Sequence, residues 1–130
     1  MSASVGIVLV SHSAELAAGL RLLVEQIGSD DVPVATAGGT AEGRIGTSYD
    51  LVLAAIRDAD RGGGVVVLPD LGSSVLTART VLEDHPRSDV LIVDAPFVEG
   101  AVAAVVTAAS GADLETVSKA AEEARNVPKL

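Results

Sequence analysis

Residues 7–20 read IVLVSHSAELAAGL, and the fold class turns on how this stretch divides. Its first residues belong to an apolar run, Val5 to Val10, that is continuous and rich in β-branched side chains. A strand of that kind is buried on both faces, as the strands of parallel sheets are. Ser11-His12-Ser13 interrupts the run. From Ala14 to Ile27, Leu16, Leu20, Leu23 and Ile27 then recur at spacings of three and four, with Glu15, Arg21 and Glu25 on the other side. That is the helical period, and it predicts those four residues as an inward stripe. A buried strand, a three-residue polar turn and a helix make the opening half of a βαβ unit.

The same alternation continues outward. Gly28-Ser29-Asp30 ends the helix, and Val32 to Ala35 reads as a short second strand. After the glycine-rich loop AGGTAEGRIGTS (37–48), Ser48 is placed to cap a helix from Tyr49 to about Asp60, with Leu51, Val52 and Ile56 inward. The run VVVLPD from Val65 is a third strand, Leu71 to Asp84 a helix, VLIVDAP from Val90 a fourth strand, and Phe97 to Ala109 a helix of very small residues. A polar helix from Asp113 to about Arg125 closes the chain. This order predicts an α/β single domain over residues 1–130, a doubly wound parallel sheet with helices on both faces and a C-terminal helix. The strand order expected for it is 2-1-3-4, with room for an extra edge strand.

Composition narrows the function classes. The net charge of −9 disfavours nucleic acid, which requires a basic face, and fits a partner that is itself basic. There is no cysteine, and the two histidines are far apart in the chain, so neither thiolate nor histidine zinc sites are expected and no metal is called for. No apolar run approaches a membrane span, and the N-terminus lacks a basic segment ahead of one. The expectation is a cytoplasmic protein without a membrane partner. Only Tyr49 and Phe97 are aromatic, so the core is built from Val, Ile, Leu and Ala.

In a 2-1-3-4 sheet the switch point lies between strands one and three, and chemistry gathers beyond their carboxyl ends. His12 follows strand one and Asp70 follows strand three, so topology brings them side by side. A carboxylate that accepts one ring N–H fixes the tautomer and leaves the other nitrogen free as nucleophile or base. Gly72-Ser73-Ser74 opens the next helix, where backbone N–H groups and hydroxyls favour an anion, and Ser11 and Ser13 add hydroxyls beside the ring. A histidine beside an anion site suits phosphoryl transfer. Plainer roles remain open for each residue: a strand-end histidine satisfied by a carbonyl, an N-capping Asp70, a simple helix start at Gly72. His85, in a polar turn before Pro86, reads as a surface residue. Glycine-rich dinucleotide loops, a Gly-Lys-Ser/Thr loop and a G-x-S-x-G elbow are all missing.

Four segments in order, VLVSHSAELAAGL, GRIGTS, LPDLGSS and DAPFVEGAVAAVVTAASGAD, resemble the phosphotransferase (M) subunits of phosphoenolpyruvate-dependent dihydroxyacetone kinases, within the mannose-type enzyme IIA superfamily. The resemblance implies that His12 is phosphorylated by the carrier HPr. It implies that the group passes to ADP on the kinase L subunit, which works with the dihydroxyacetone-binding K subunit. It further implies Asp70 as the partner of His12, and Gly72, Ser73 and Ser74 as phosphate-binding residues, with Gly46, Thr47 and Ser48 lining the same crevice. A homodimer and no cofactor complete the picture. The alternatives are a sugar-transporting mannose-type IIA component, a regulatory phosphohistidine module, and a hydrolase using Ser11 or Ser73 with His12 and Asp70.

Overall fold

The computed structural model describes residues 4–28 and 30–130. In chain order it contains β1 (Gly6–Ser11), α1 (Ala14–Ile27), β2 (Val34–Gly38), α2 (Tyr49–Ala59), β3 (Val65–Pro69), α3 (Gly72–Asp84), β4 (Val90–Ile92), α4 (Phe97–Ala109) and α5 (Leu114–Glu123), followed by a 3-10 turn at Ala124–Asn126. The strands form one parallel sheet in the expected order β2-β1-β3-β4. Successive strand residues face opposite sides. Ile7, Leu9, Val66 and Leu68 therefore pack under α1, α4 and α5, while Val8, Val10, Val65 and Val67 pack under α2 and α3. Among the described residues no fifth strand joins an edge, and residues 127–130 follow the turn without joining the sheet.

Three local expectations are corrected. The buried stripe of α1 is Ala17, Leu20 and Val24, whereas Leu16, Leu23 and Ile27 lie exposed. Both stripes have helical spacing, so side-chain volume decides: small Ala17 and Val24 let the helix sit close to the sheet, and the larger residues turn outward. The helix does stop at Gly28, and Ser29 of the expected stop lies outside the described residues. In α2 the buried residues are Val52, Ala55, Ile56 and Ala59, and Leu51 is only half-buried. β2 begins two residues late and runs to Gly38, because β1 pairs with it through Ser11↔Gly38.

The fourth strand is also shorter than its apolar run. The Val93 N–H still donates to the Val67 carbonyl at 2.9 Å. The next rung of a parallel ladder needs an N–H from residue 69, and Pro69 has none. The ladder ends there, and the tips of β3 and β4 part. Between them opens a cleft of about 410 Å³ whose lining includes Pro69, Asp70, Gly72, Arg79 and Asp94. On the other side of Pro69 the chain stays zipped, with the Asp70 N–H donating to the Val10 carbonyl at 2.9 Å.

Away from the site, the opposite end of the sheet is tied by Arg87, which donates to Asp60 at 2.7 Å and to both carboxylate oxygens of Asp89 at 2.8 and 3.0 Å. At Gly6 the first strand passes so close to the end of α2 that an added Cβ would lie 2.0 Å from the Ala59 carbonyl oxygen. Backbone meets backbone there, so neither side gives way cheaply. Gly6→Ala should therefore destabilise the fold by about 3 kcal/mol, the upper range for overpacking, lowering the melting temperature by roughly 10 °C. A thermal melt with an unchanged midpoint would contradict this account of the β1–α2 contact.

Candidate active site

The strand order brings the tips of β1 and β3 together, and Asp70 organises what gathers there. Its carboxylate accepts five hydrogen bonds. Oδ1 takes the His12 Nδ1 proton at 2.9 Å, the Ser74 hydroxyl at 2.7 Å and the Leu71 N–H at 2.7 Å. Oδ2 takes the Ser11 hydroxyl at 2.8 Å and the His12 backbone N–H at 3.1 Å. Burial acts to raise the Asp70 pKa, but the donors Ser74, His12 and Ser11 outweigh it and hold the carboxyl at about 2. A carboxyl depressed in the folded state stabilises the fold above its unfolded value of 3.8, and loses that contribution as pH falls through about 2. Acid titration of the fold should show this loss between roughly pH 4 and 2. In Asp70→Asn that increment should be missing.

The geometry sets the chemistry of the ring. Facing an ionised carboxylate, Nδ1 carries the proton in the neutral imidazole, so Nε2 holds the lone pair. His12 keeps 19% of its side chain exposed against 8% for Asp70, so the pair points one reactive nitrogen outward. Nε2 meets the Ser73 hydroxyl at the start of α3. The N-cap of that helix is Leu71, with no side-chain capping bond. The Ser74 and Val75 N–H groups fold back on the Leu71 carbonyl, at 3.0 and 3.2 Å. Those of Gly72 and Ser73 find no acceptor among the described residues. Two free N–H groups at the positive end of a helix dipole, next to Nε2, form a seat for an anion.

The expected hydroxyls divide by role. Ser11 and Ser74 are fully buried and committed to Asp70, so both stand behind the carboxylate rather than in the anion seat. The Ser13 hydroxyl caps α1 by accepting from the Leu16 N–H at 3.2 Å, and Ser48 caps α2 through the Leu51 N–H at 3.3 Å. Thr47 Oγ1 lies 2.7 Å from Thr77 Oγ1 on α3. Of the expected phosphate residues, Ser73 meets Nε2 through its hydroxyl, and Gly72 precedes it at the head of α3. Thr77 was not anticipated from sequence, whereas Gly46, expected at the crevice, donates its N–H to the His12 carbonyl at 2.9 Å. His85 is exposed at the end of α3, its ring 6.4 Å from that of Tyr49.

The model of the EIIA-man family, described as PTS system fructose IIA component, matches residues 6–118, a span holding both His12 and Asp70. The chain belongs to this EIIA-man family. The resemblance read from the four sequence segments thus stands. Among EIIA-man relatives, the phosphoryl donor subunit DhaM of a dihydroxyacetone kinase from Listeria innocua is 38% identical over 103 residues, covering 79% of this chain and 81% of the relative. The DhaM phosphotransferase subunit of Lactococcus lactis is 33% identical and covers 91% and 94% respectively. The Escherichia coli DhaM is 40% identical over 87% of this chain, which spans only 25% of that longer protein. Among solved structures, a protein of unknown function, EF1359, superposes with a TM-score of 0.81 at 32% identity, over 98% of this chain and 97% of its own. No helix among the described residues is long and apolar enough to cross a membrane.

Proposed function

We infer that this chain is a phosphohistidine carrier serving a dihydroxyacetone kinase, with His12 Nε2 as the site of phosphorylation. The observation that carries the reading is the polarised ring: Asp70 holds Nδ1–H, and Nε2 meets the Ser73 hydroxyl at the head of α3, where the Gly72 and Ser73 N–H groups are unengaged. In the first half-reaction the Nε2 lone pair forms a bond to phosphorus as the phosphorus–nitrogen bond of the HPr phosphohistidine breaks. The electron pair of that bond returns to the HPr ring. The developing charge on the three phosphoryl oxygens falls on the Gly72 and Ser73 N–H groups and on the Ser73 hydroxyl, which turns from Nε2 to the phosphoryl group. In the second half-reaction a β-phosphate oxygen of ADP, held on the L subunit, attacks the same phosphorus, and the His12 ring leaves with its electron pair restored. ATP so formed supplies the K subunit's dihydroxyacetone. The carrier works as a homodimer in the cytoplasm, without a cofactor.

The test follows the phosphoryl group. Incubated with phosphoenolpyruvate, enzyme I and HPr, the protein should acquire acid-labile, base-stable phosphate and lose it to an ADP-loaded L subunit. Label that enters but never leaves to ADP points to a regulatory module instead.

A second reading has one specific observation behind it. Ser73 Oγ, His12 and Asp70 stand in the order of a hydrolase triad. Ser11 is excluded from that role, since its hydroxyl is buried on Asp70. Covalent labelling of Ser73 by a fluorophosphonate would support the hydrolase, and inertness removes it.

A further inference from the structure

The carrier site has two halves on separate elements: His12 at the tip of β1, and the anion seat of Gly72 and Ser73 on α3. Asp70 joins them once, its Oδ1 accepting both from His12 Nδ1 and from the hydroxyl of Ser74 on α3, which also lies 3.2 Å from Nδ1. A second, independent connection runs through the loop after β2. The Gly46 N–H donates to the His12 carbonyl at 2.9 Å. The very next residue, Thr47, places its hydroxyl 2.7 Å from that of Thr77. Thr77 Oγ1 in turn donates to the Ser73 carbonyl at 3.0 Å. With the Thr77 proton spent on Ser73, Thr47 is the donor to Thr77. The chain of contacts therefore runs from the His12 carbonyl, through Gly46 and Thr47, to Thr77 and the Ser73 carbonyl.

The backbone of the loop is shaped for this. Gly46 has φ of +142°, and a Cβ there would sit 2.9 Å from Thr40 Cγ2. Only glycine adopts that conformation without strain, and it lets consecutive residues reach opposite sides of the crevice. The loop is further closed on itself by the Thr40 N–H donating to the Arg44 carbonyl and the Gly43 N–H to Thr40, at 2.9 and 3.0 Å.

We propose that Gly46-Thr47 is a second bridge that, together with the Asp70–Ser74 contact, sets the spacing between His12 Nε2 and the anion seat, with Thr47 and Thr77 as positioning residues that never touch the phosphoryl group. The proposal rests on the carrier reading above and assigns Thr47 a different part from phosphate binding. Its energetic basis is alignment: attack on phosphorus and stabilisation of its oxygens must coincide, and displacements well under 1 Å slow such steps.

The experiment compares Thr47→Val, Thr77→Val, the double variant and Thr47→Ser in single-turnover phosphorylation. Two donors are used: HPr phosphohistidine, and phosphoramidate, a small donor that needs no docking surface. Each valine variant should lower the rate constant roughly tenfold with both donors while half-saturation by HPr stays unchanged. The double variant should be no slower than the slower single one, because both cut one connection. Thr47→Ser, which keeps the hydroxyl, should restore the rate. Wild-type rates in Thr47→Val overturn the bridge. So do additive losses in the double variant, or Thr47→Ser no faster than Thr47→Val. A loss seen only as weaker HPr saturation, with the phosphoramidate rate intact, overturns it in favour of partner docking. If the wild-type protein takes no label on His12 from either donor, the carrier reading itself fails, which is a separate result.

Discussion

Replacing His12 with alanine should abolish phosphoryl uptake, with a loss on the order of 10⁴-fold or more, as removal of a covalent nucleophile produces. The ring is partly exposed and hydrogen-bonds through polar atoms at the rim of the sheet, so the fold should survive and its melting transition remain cooperative. The check is radiolabelled phosphoenolpyruvate with enzyme I and HPr, followed by acid and base treatment of the product. His85→Ala is the matched control. His85 lies exposed at the far end of α3 against Tyr49, with no contact to Asp70 or Ser73, and should leave uptake at the wild-type rate. Stable label in His12→Ala would move the carrier site elsewhere.

Asp70→Asn should have the second largest effect, a fall in transfer rate of roughly 10²- to 10⁴-fold. The cause is specific. Every group that meets the carboxylate is a donor, and an amide offers one acceptor oxygen and one nitrogen that can only donate. Whichever way the amide turns, its NH₂ confronts either Nδ1–H, the Ser74 hydroxyl and the Leu71 N–H, or the Ser11 hydroxyl and the His12 N–H. The ring loses its anchored tautomer, and Nε2 no longer holds its lone pair toward the anion seat. Leaving buried donors unmatched also costs about 1–3 kcal/mol of stability. Rate and stability thus fall together here, and an NMR measurement of the His12 ring nitrogens separates them. Nδ1 should be protonated at neutral pH in the wild type, and the two tautomers should mix in Asp70→Asn. A variant with wild-type rate and unmixed tautomers would remove Asp70 from the mechanism.

Much of this was legible in the sequence because it is local or topological. The continuous run before Ser11 announced a buried parallel strand, and the βα alternation fixed which strand tips meet. The placement of His12 and Asp70 follows from that without any distance being known. Side-chain choices between equivalent patterns were not legible. Leu16-Leu20-Leu23-Ile27 and Ala17-Leu20-Val24 have the same helical spacing, and only the closeness of α1 to the sheet selects the second. The serines and Thr47 were found but not sorted, and Thr77 was missed. A hydroxyl can cap a helix, brace a carboxylate or meet a ligand, and which it does depends on residues thirty to sixty positions away, as with Thr47 and Thr77 or Ser11 and Asp70. Pro69 carried a readable signal, a missing N–H. Its effect on β4 requires knowing that this N–H would have pointed at Val93.

The saturation of Asp70 bears on reversibility. A carboxylate held by five donors at a pKa of about 2 is charged at neutral pH. On the carrier reading, the environment of Nδ1 would then be the same with Nε2 free and with Nε2 phosphorylated, and little in the surroundings would need to reorganise on either passage. Such a site adds no thermodynamic sink of its own. On the carrier reading, a phosphoryl group on Nε2 would then depart toward donor or acceptor with its transfer potential nearly intact.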